Sequence, residues 1–535
     1  MGRERNGVGL TRREVIKAGL GAAAFAMAAP RVSRAQTFSR RPNILLLMDD
    51  QHRGDCVGVD GNAVIRTPNL DRLAKEGAWF HRAYSTTPTC TPARTALLTG
   101  LGPWRHGMLG MSKMAEKYPL ELPQAMRDAG YYTTGIGKMH YHPQRNGHGL
   151  HKLLLDESSR EETPEFRSDY RAWFATQAPN LDFNATGIGW NDYRAKAYAL
   201  PEELHPTRWT GDTAVRFLET YRRPEPFFLK VSFTRPHSPY DPPERLMNMY
   251  ADADLPRAKV GAWAGRNATP GGSSESYWQG DLGADQVRHS RQGYYGSVTF
   301  VDEQIGRIVE TLERRGWLEE TFILFLSDHG DMTGDHHLWR KSYPYESSVR
   351  IPMLVRWPEG LVSGKRGQTL HQPVEIRDVL PTLLEVAGKG RDGAGLEGRS
   401  LIPLAEGKSK DWRRLIDLEH DICYHPGNHW TALTDGRWKY IFHARDGEEQ
   451  LFDMKSDPGE ERDLAGDTGH ARTLRVWRSK MVEHLAERGE AWVKAGRLAL
   501  RPEAMPLSPN FPGCSCHPLD SKGRPSNREK KTGGA

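Results

Sequence analysis

The chain has 535 residues, 37% of them hydrophobic, enough to bury a large core as one big domain with a smaller one or as several ordinary domains. Its formal charge of +6 sits at the ends, because residues 1–35 carry a net +5 and residues 501–535 a net +3, which leaves 36–500 at −2; the body has no basic footprint, and no nucleic-acid partner is expected. Five cysteines (56, 90, 423, 514 and 516) are too few and too irregularly spaced for a disulfide framework or a repeated zinc-binding pattern.

At the N-terminus, Thr11-Arg12-Arg13-Glu14-Val15-Ile16-Lys17 precedes a small-residue apolar run from Ala18 to Pro30, then Ser33-Arg34-Ala35. The run is too short and too rich in Ala and Gly to span a membrane, and Ser33 and Ala35 fit a small-x-small cleavage site. Residues 1–35 resemble a twin-arginine export signal, which implies the twin-arginine translocase as a partner and a periplasmic or secreted mature protein. Four apolar runs then end abruptly in reactive residues: Ile44–Met48 before Asp49 and Asp50, Tyr131–Gly137 before Lys138, Phe227–Phe233 before His237, and Phe322–Ser327 before Asp328 and His329. Such runs read as buried strands. The 301–315 stretch, with Val301, Ile305, Ile308, Val309 and Leu312 on one face and Gly316 as a stop, reads as a helix. Alternation of the two predicts an α/β fold with a large, mainly parallel sheet flanked by helices over residues 41–400, with ligands at the carboxyl ends of the strands.

Residues 150–210 and 250–295 lack clear periodicity and read as insertions covering the site. Trp173, Phe174, Phe183, Trp190, Tyr193 and Trp209 in the first of them either anchor that segment or stack on a sugar or aryl group. After residue 400, the 430–433, 438–442 and 450–452 segments read as short antiparallel strands and 470–488 as a helix, giving a smaller α+β subdomain over 401–500. Residues 501–535 are rich in Pro, Gly, Ser and Lys and read as a disordered tail.

Cys90-Thr91-Pro92-Ala93-Arg94, followed by Thr95-Ala96-Leu97-Leu98-Thr99-Gly100, predicts a helix over 91–99 with Cys90 at its N-terminal mouth, where free N–H groups favour an anion. The segment closely resembles the type I sulfatase signature, and the chain is identified on it as a member of that formylglycine-dependent branch of the alkaline phosphatase superfamily. The resemblance covers about residues 42–465, including Leu451-Phe452-Asp453 and Asp457-Pro458 near its end.

Adjacent carboxylates at Asp49 and Asp50 repel unless a cation offsets them, and Asp328-His329 supplies a second carboxylate and an imidazole. By resemblance, Asp49, Asp50, Asp328, His329 and the modified Cys90 hold one divalent metal. Calcium ranks first by family; the imidazole of His329, where many relatives carry Asn, brings in manganese or zinc.

Arg94, Lys138, His140, His237 and Lys341 match active-site positions in chain order, and His336 and His337 are candidates for outer support only. The resemblance implies that a formylglycine-generating enzyme oxidises Cys90 and that the hydrated aldehyde attacks the sulfur of a sulfate ester. Lys138 and Lys341 offset charge, and His237 donates a proton to the leaving alcohol, with Lys341 as the competing donor. His140 takes a proton from the second hydroxyl, and Arg94 orients the modified residue. The expected substrate is a sulfated small molecule or glycan fragment. The alternatives are a phosphonate monoester or phosphodiester hydrolase of the same superfamily, and a glycan-binding relative without activity.

Overall fold

Apolar runs without polar interruption become strands here because helices cover both faces of the sheet they form. The computed structural model describes residue 2 and residues 41–513 except 159, 391–394 and 409. The export-signal reading therefore lies outside the described residues save for residue 2, as do Cys514 and Cys516.

The main sheet has eight strands: β1 (Asn43–Asp50), β2 (Gly77–Phe80), β3 (Tyr132–Gly137), β4 (Lys152–Leu155), β5 (Phe227–Pro236), β6 (Thr321–Ser327), β7 (Met353–Arg356) and β8 (Gln368–Leu370). Their order is β8-β2-β7-β6-β1-β5-β3-β4, and β7 alone runs against the others. Strands β6, β1, β5 and β3 are consecutive neighbours, so the four residue groups that follow them emerge side by side along one edge.

Side-chain alternation divides the core between the two faces. Ile44, Leu46 and Met48 of β1 pack with Phe322, Leu324 and Leu326 against Ala93, Ala96 and Leu97 of one helix and Val379, Leu380 and Leu383 of another. Leu45 and Leu47 face the other way, toward Ala214 and Leu218 of one helix and Val301, Ile305, Ile308 and Leu312 of a long one. Each of these fully buried aliphatic side chains contributes about 1.5–3 kcal/mol relative to exposure.

Four antiparallel strands follow: β9 (Ile416–Cys423), β10 (His425–Thr434), β11 (Trp438–His443) and β12 (Glu449–Asp453), in that order across the sheet. One face, with Leu418, Trp430, Ile441 and Phe452, packs on Tyr84, Met332, Tyr343 and Tyr345 beside the end of the main sheet. The other carries Leu433, Tyr440 and Leu451 against Trp477, Met481 and Leu485 of the helix Ala471–Leu485. Both sheets belong to one compact unit. No described helix is long and apolar enough to cross a membrane.

Three expectations need correction. The segments read as site-covering insertions contain core elements: Lys152–Leu155 is the edge strand β4, and the long helix begins at Ala284 and runs to Arg314. Its first half hid from periodicity because Ser290, Arg291, Gln292, Tyr294 and Tyr295 are as buried as its aliphatic residues. Strand β9 was absent from the sequence reading because Glu419, His420 and Asp421 break its apolar pattern while being buried. Residues 501–513 are packed rather than disordered: Leu109 and Gly110 donate backbone hydrogen bonds to Pro506 O at 2.9 and 3.1 Å, Ser508 N donates to Gly107 O at 2.8 Å, and Arg501 is buried.

Candidate active site

The helix α1 (Cys90–Thr99) begins where extended Thr89, with φ −150° and ψ 143°, turns into it, and ends at left-handed Gly100, whose N–H donates to Ala96 O. All ten residues are buried, so the helix fixes Cys90 at the floor of the site rather than on a flexible rim. Burial and Asp50 act to raise the Cys90 thiol, but Lys341, Lys138 and His329 outweigh them and hold it below its ordinary value. Lys341 Nζ donates to Sγ at 3.1 Å, and His329 Nε2 lies 3.2 Å from it.

Four side chains converge there: Asp50, Cys90, Asp328 and His329 present one donor atom each, all within 4.8 Å of one another. In each of the other three residues the outer atom is held by protein and the inner one faces the cluster. Asp50 Oδ2 takes Lys138 Nζ at 2.8 Å and an Arg94 N–H at 2.9 Å, leaving Oδ1 toward Cys90. Asp328 Oδ2 takes Arg94 Nε at 2.9 Å. His329 Nδ1 lies 3.0 Å from Gly330 O, and since a carbonyl only accepts, Nδ1 carries a proton and Nε2 is the nitrogen turned inward; burial would lower this imidazole, but Asp328 and Cys90 raise it, so Nε2 would offer its lone pair only on binding a metal. Convergent carboxylate, imidazole and sulfur donors with outer atoms so oriented fit a divalent metal. Burial alone would raise the Asp50 carboxyl, yet Lys138, Arg94 and Lys341 hold it well below the usual carboxylate range.

Asp49, expected in the same set, is not brought into it. Its Oδ2 is bound by His52 Nδ1 at 2.6 Å, and burial raises its carboxyl against the pull of that histidine. Its Oδ1 is buried without a hydrogen-bond partner among the described residues, and Asp328 adds to the rise of its carboxyl, so Asp49 borders the cluster without being one of the four groups within 4.8 Å.

Arg94 is the hub of the site, donating also to Lys138 O at 2.6 Å and Ser232 Oγ at 3.0 Å. Lys341 stays protonated, since Cys90, Asp50 and Asp328 overcome the effect of burial. His237 is held neutral by burial and by Lys341 and Lys138; its Nδ1 donates to Ser238 O at 2.8 Å, and its buried Nε2 has no hydrogen-bond partner among the described residues. His140 is likewise neutral, lowered by burial and Lys138, with Nε2 3.4 Å from Arg160 and a buried, unpartnered Nδ1. No hydrogen bond among the described residues joins His140 to Cys90. It shares a small cavity with Thr91 and Glu157, and Glu157 accepts its backbone N–H at 3.0 Å.

His336 and His337 stay away from the cluster. His336 lies against Trp263, with ring centroids 4.6 Å apart, and accepts from Gly261 N at 3.3 Å, while His337 pairs with Asp281 at 3.8 Å.

Several contributors escaped sequence reasoning. Gln51 donates its N–H to Asp328 Oδ1 at 3.1 Å and accepts from Lys341 Nζ at 3.0 Å through a left-handed backbone with φ 73°. Its place directly after Asp50 was the available signal. Ser232 and His420 carried none; His420 Nε2 lies 2.6 Å from Thr89 Oγ1, beside the first residue of α1.

A buried cysteine beside donor groups that could hold a metal ion, ringed by cationic side chains, suits the binding of an anionic ester. The chain belongs to the sulfatase family, whose model matches residues 42–389, while that of the N-sulphoglucosamine sulphohydrolase C-terminal region matches 334–487. It is similar to an arylsulfatase of Clostridium perfringens, 36% identical over 86% of this chain and 97% of that protein. A choline-sulfatase of Rhizobium meliloti is 32% identical over 79% of this chain and 82% of that protein. Among solved structures, a phosphonate monoester hydrolase of Agrobacterium radiobacter superposes with a TM-score of 0.72 at 26% identity, covering 86% of this chain and all of that one. The protein is accordingly a sulfuric ester hydrolase.

Proposed function

We propose that the chain hydrolyses a sulfate monoester of a small molecule or glycan fragment to alcohol and sulfate, with Cys90 converted to formylglycine. The observation that carries this reading is Cys90 at the N-terminus of α1 inside the Asp50, Asp328 and His329 donor cluster, 3.1 Å from Lys341. Hydrated formylglycine at this position would supply the hydroxyl nucleophile and a second hydroxyl for sulfate release, and a divalent metal on the three donors would polarise it and offset charge. Calcium ranks first for that metal, and the imidazole in the donor set keeps manganese or zinc as alternatives.

The surrounding residues have separable tasks. Arg94 spans Asp50 and Asp328 and fixes both carboxylates. Lys138 and Lys341 place positive charge where sulfuryl oxygens would bind. His140, held neutral, is suited to accept a proton. Lys341 has a proton to give, whereas neutral His237 presents a bare Nε2, so the proton inventory favours Lys341 as the donor to the leaving oxygen.

The test is to digest protein made in a host containing a formylglycine-generating enzyme and weigh the Ala83–Arg94 peptide, then assay 4-nitrophenyl sulfate. Aldehyde at position 90 with turnover supports the reading; an unmodified thiol in fully active enzyme overturns the nucleophile assignment. A second reading, hydrolysis of phosphonate monoesters or phosphodiesters, is favoured by the likeness to the phosphonate monoester hydrolase and by His329 among the donors. A higher kcat/KM for an aryl phosphodiester than for the aryl sulfate would establish it.

Export by the twin-arginine translocase to the periplasm or beyond completes the proposal, supported by the Arg12-Arg13 segment and the apolar run after it. Deleting residues 1–35 and finding the enzyme still exported would remove it.

A further inference from the structure

The six aromatic residues of the 173–209 region fall into different environments. Trp173, Phe174, Phe183 and Trp209 cluster with Tyr170, and Tyr193 packs on Tyr277 and Trp339 at 5.7 and 5.3 Å. Those five anchor the segment. Trp190 instead lies on the catalytic groups: its ring is stacked on His237 with centroids 3.7 Å apart and planes 17° from parallel, and Lys138 Nζ sits 4.4 Å from its centroid.

Trp190 is half-buried while His237 and Lys138 are fully buried, so the indole is the outermost of the three. Its segment, residues 178–200, has almost no regular structure, and the neighbouring Gly189 has open space where a Cβ would be. A cation over an aromatic face gains less than a charge-assisted hydrogen bond to an oxyanion does in a desolvated site. An entering sulfuryl group therefore takes Lys138 from the indole without a large penalty. His237 covers one face of the ring, and the indole, being only half-buried, leaves apolar surface next to His237 for the departing group if His237 and Lys341 flank the leaving oxygen.

The geometry points to Trp190 as the specificity-determining residue of the leaving-group side: its indole forms a stacking wall that selects sulfate esters of flat groups, an aryl ring or the apolar face of a sugar, over esters of open-chain alcohols. This inference rests on the sulfuryl-binding role assigned above to Lys138 and Lys341. It does not require the modified residue, so it can be tested by binding alone.

Calorimetry on the full chain in its cysteine form, with phenyl sulfate and ethyl sulfate as probes, compares two monoanions that differ only in the group to be stacked. Phenyl sulfate is expected to bind the unaltered protein about tenfold more tightly, the size of an aromatic pair in a desolvated site. In Trp190→Ala the two affinities converge to within about twofold with that for ethyl sulfate unchanged, and Trp190→Phe retains most of the difference. A difference that survives in Trp190→Ala, or an equal loss for both anions, overturns the inference and leaves the sulfuryl site standing. If neither anion binds the unaltered chain, the sulfuryl-site reading falls and the inference falls with it.

Discussion

At the scale of single residues, the site is defined by which atom of each side chain is already committed. Asp50 and Asp49 are neighbours of the same type and each has one oxygen held by protein, yet only the free oxygen of Asp50 lies within the cluster with Cys90, Asp328 and His329. Asp50→Asn is therefore expected to abolish stoichiometric metal, whereas Asp49→Asn weakens binding by about ten- to a hundredfold, as loss of a supporting partner does. Metal per chain after dialysis measures both, and the reverse ranking would put Asp49 in the donor set. The proton inventory makes a second prediction. Lys341→Ala should lower kcat/KM for ethyl sulfate by about 10²–10⁴, because an alkoxide cannot leave without a proton, and should do much less to 4-nitrophenyl sulfate. An equal effect on both substrates would return the donor role to His237.

At the scale of elements, the C-terminal segment and the antiparallel sheet both bear on α1. Residues 501–513 run along 104–110, where Ser508 Oγ donates to Trp104 O at 2.7 Å. Gly107 makes this passage feasible: its φ is +89°, and a Cβ there would stand 2.3 Å from Phe511 Cα. Gly107→Ala is expected to cost about 1–3 kcal/mol by overpacking in addition to backbone strain. Gly61, with φ +94° and nothing within 4 Å, is the control, since Gly61→Ala meets the backbone strain alone. Urea midpoints compare them; matching losses would mean that the segment is not seated as described.

For the whole molecule, burial sets the response to acid. His106, His336 and His420 are buried, and burial depresses them to about 3, about 4 and about 3 respectively. Their unfolded counterparts titrate near 6.5, so the unfolded chain takes up these protons first. The stability they contribute is complete above about pH 6.5 and is lost as pH falls toward their folded values, at up to about 1.4 kcal/mol per pH unit for each. Burial raises the carboxyls of Asp302, Glu375 and Glu460 to about 7, which opposes this slope, so the test is a difference: between pH 7 and 4 His106→Gln should change the pH slope of denaturation by one proton, and an unchanged slope would mean that His106 is protonated in the fold. His106 suits the test because its Nδ1 accepts from Met108 N at 3.1 Å, a bond that a glutamine oxygen can replace.

The sequence by itself determined the parallel sheet, the helix carrying Cys90 and the chain order of the reactive groups, because each is local: an uninterrupted apolar run, a proline in a first turn, a polar residue just past a strand end. It could not choose between Asp49 and Asp50, identify Gln51 or His420, or separate Trp190 from five similar aromatics. Apart from His52, three residues from Asp49, those choices depend on partners 40 to more than 300 residues away, such as His420 beside Thr89 and Trp190 on His237, which are contacts that only chain packing creates. Tertiary structure also overrode composition where polar residues are buried in β9 and the long helix and where a Pro-rich end is held by backbone hydrogen bonds. Burial of a paired polar group leaves no hydrophobic pattern for a sequence to display.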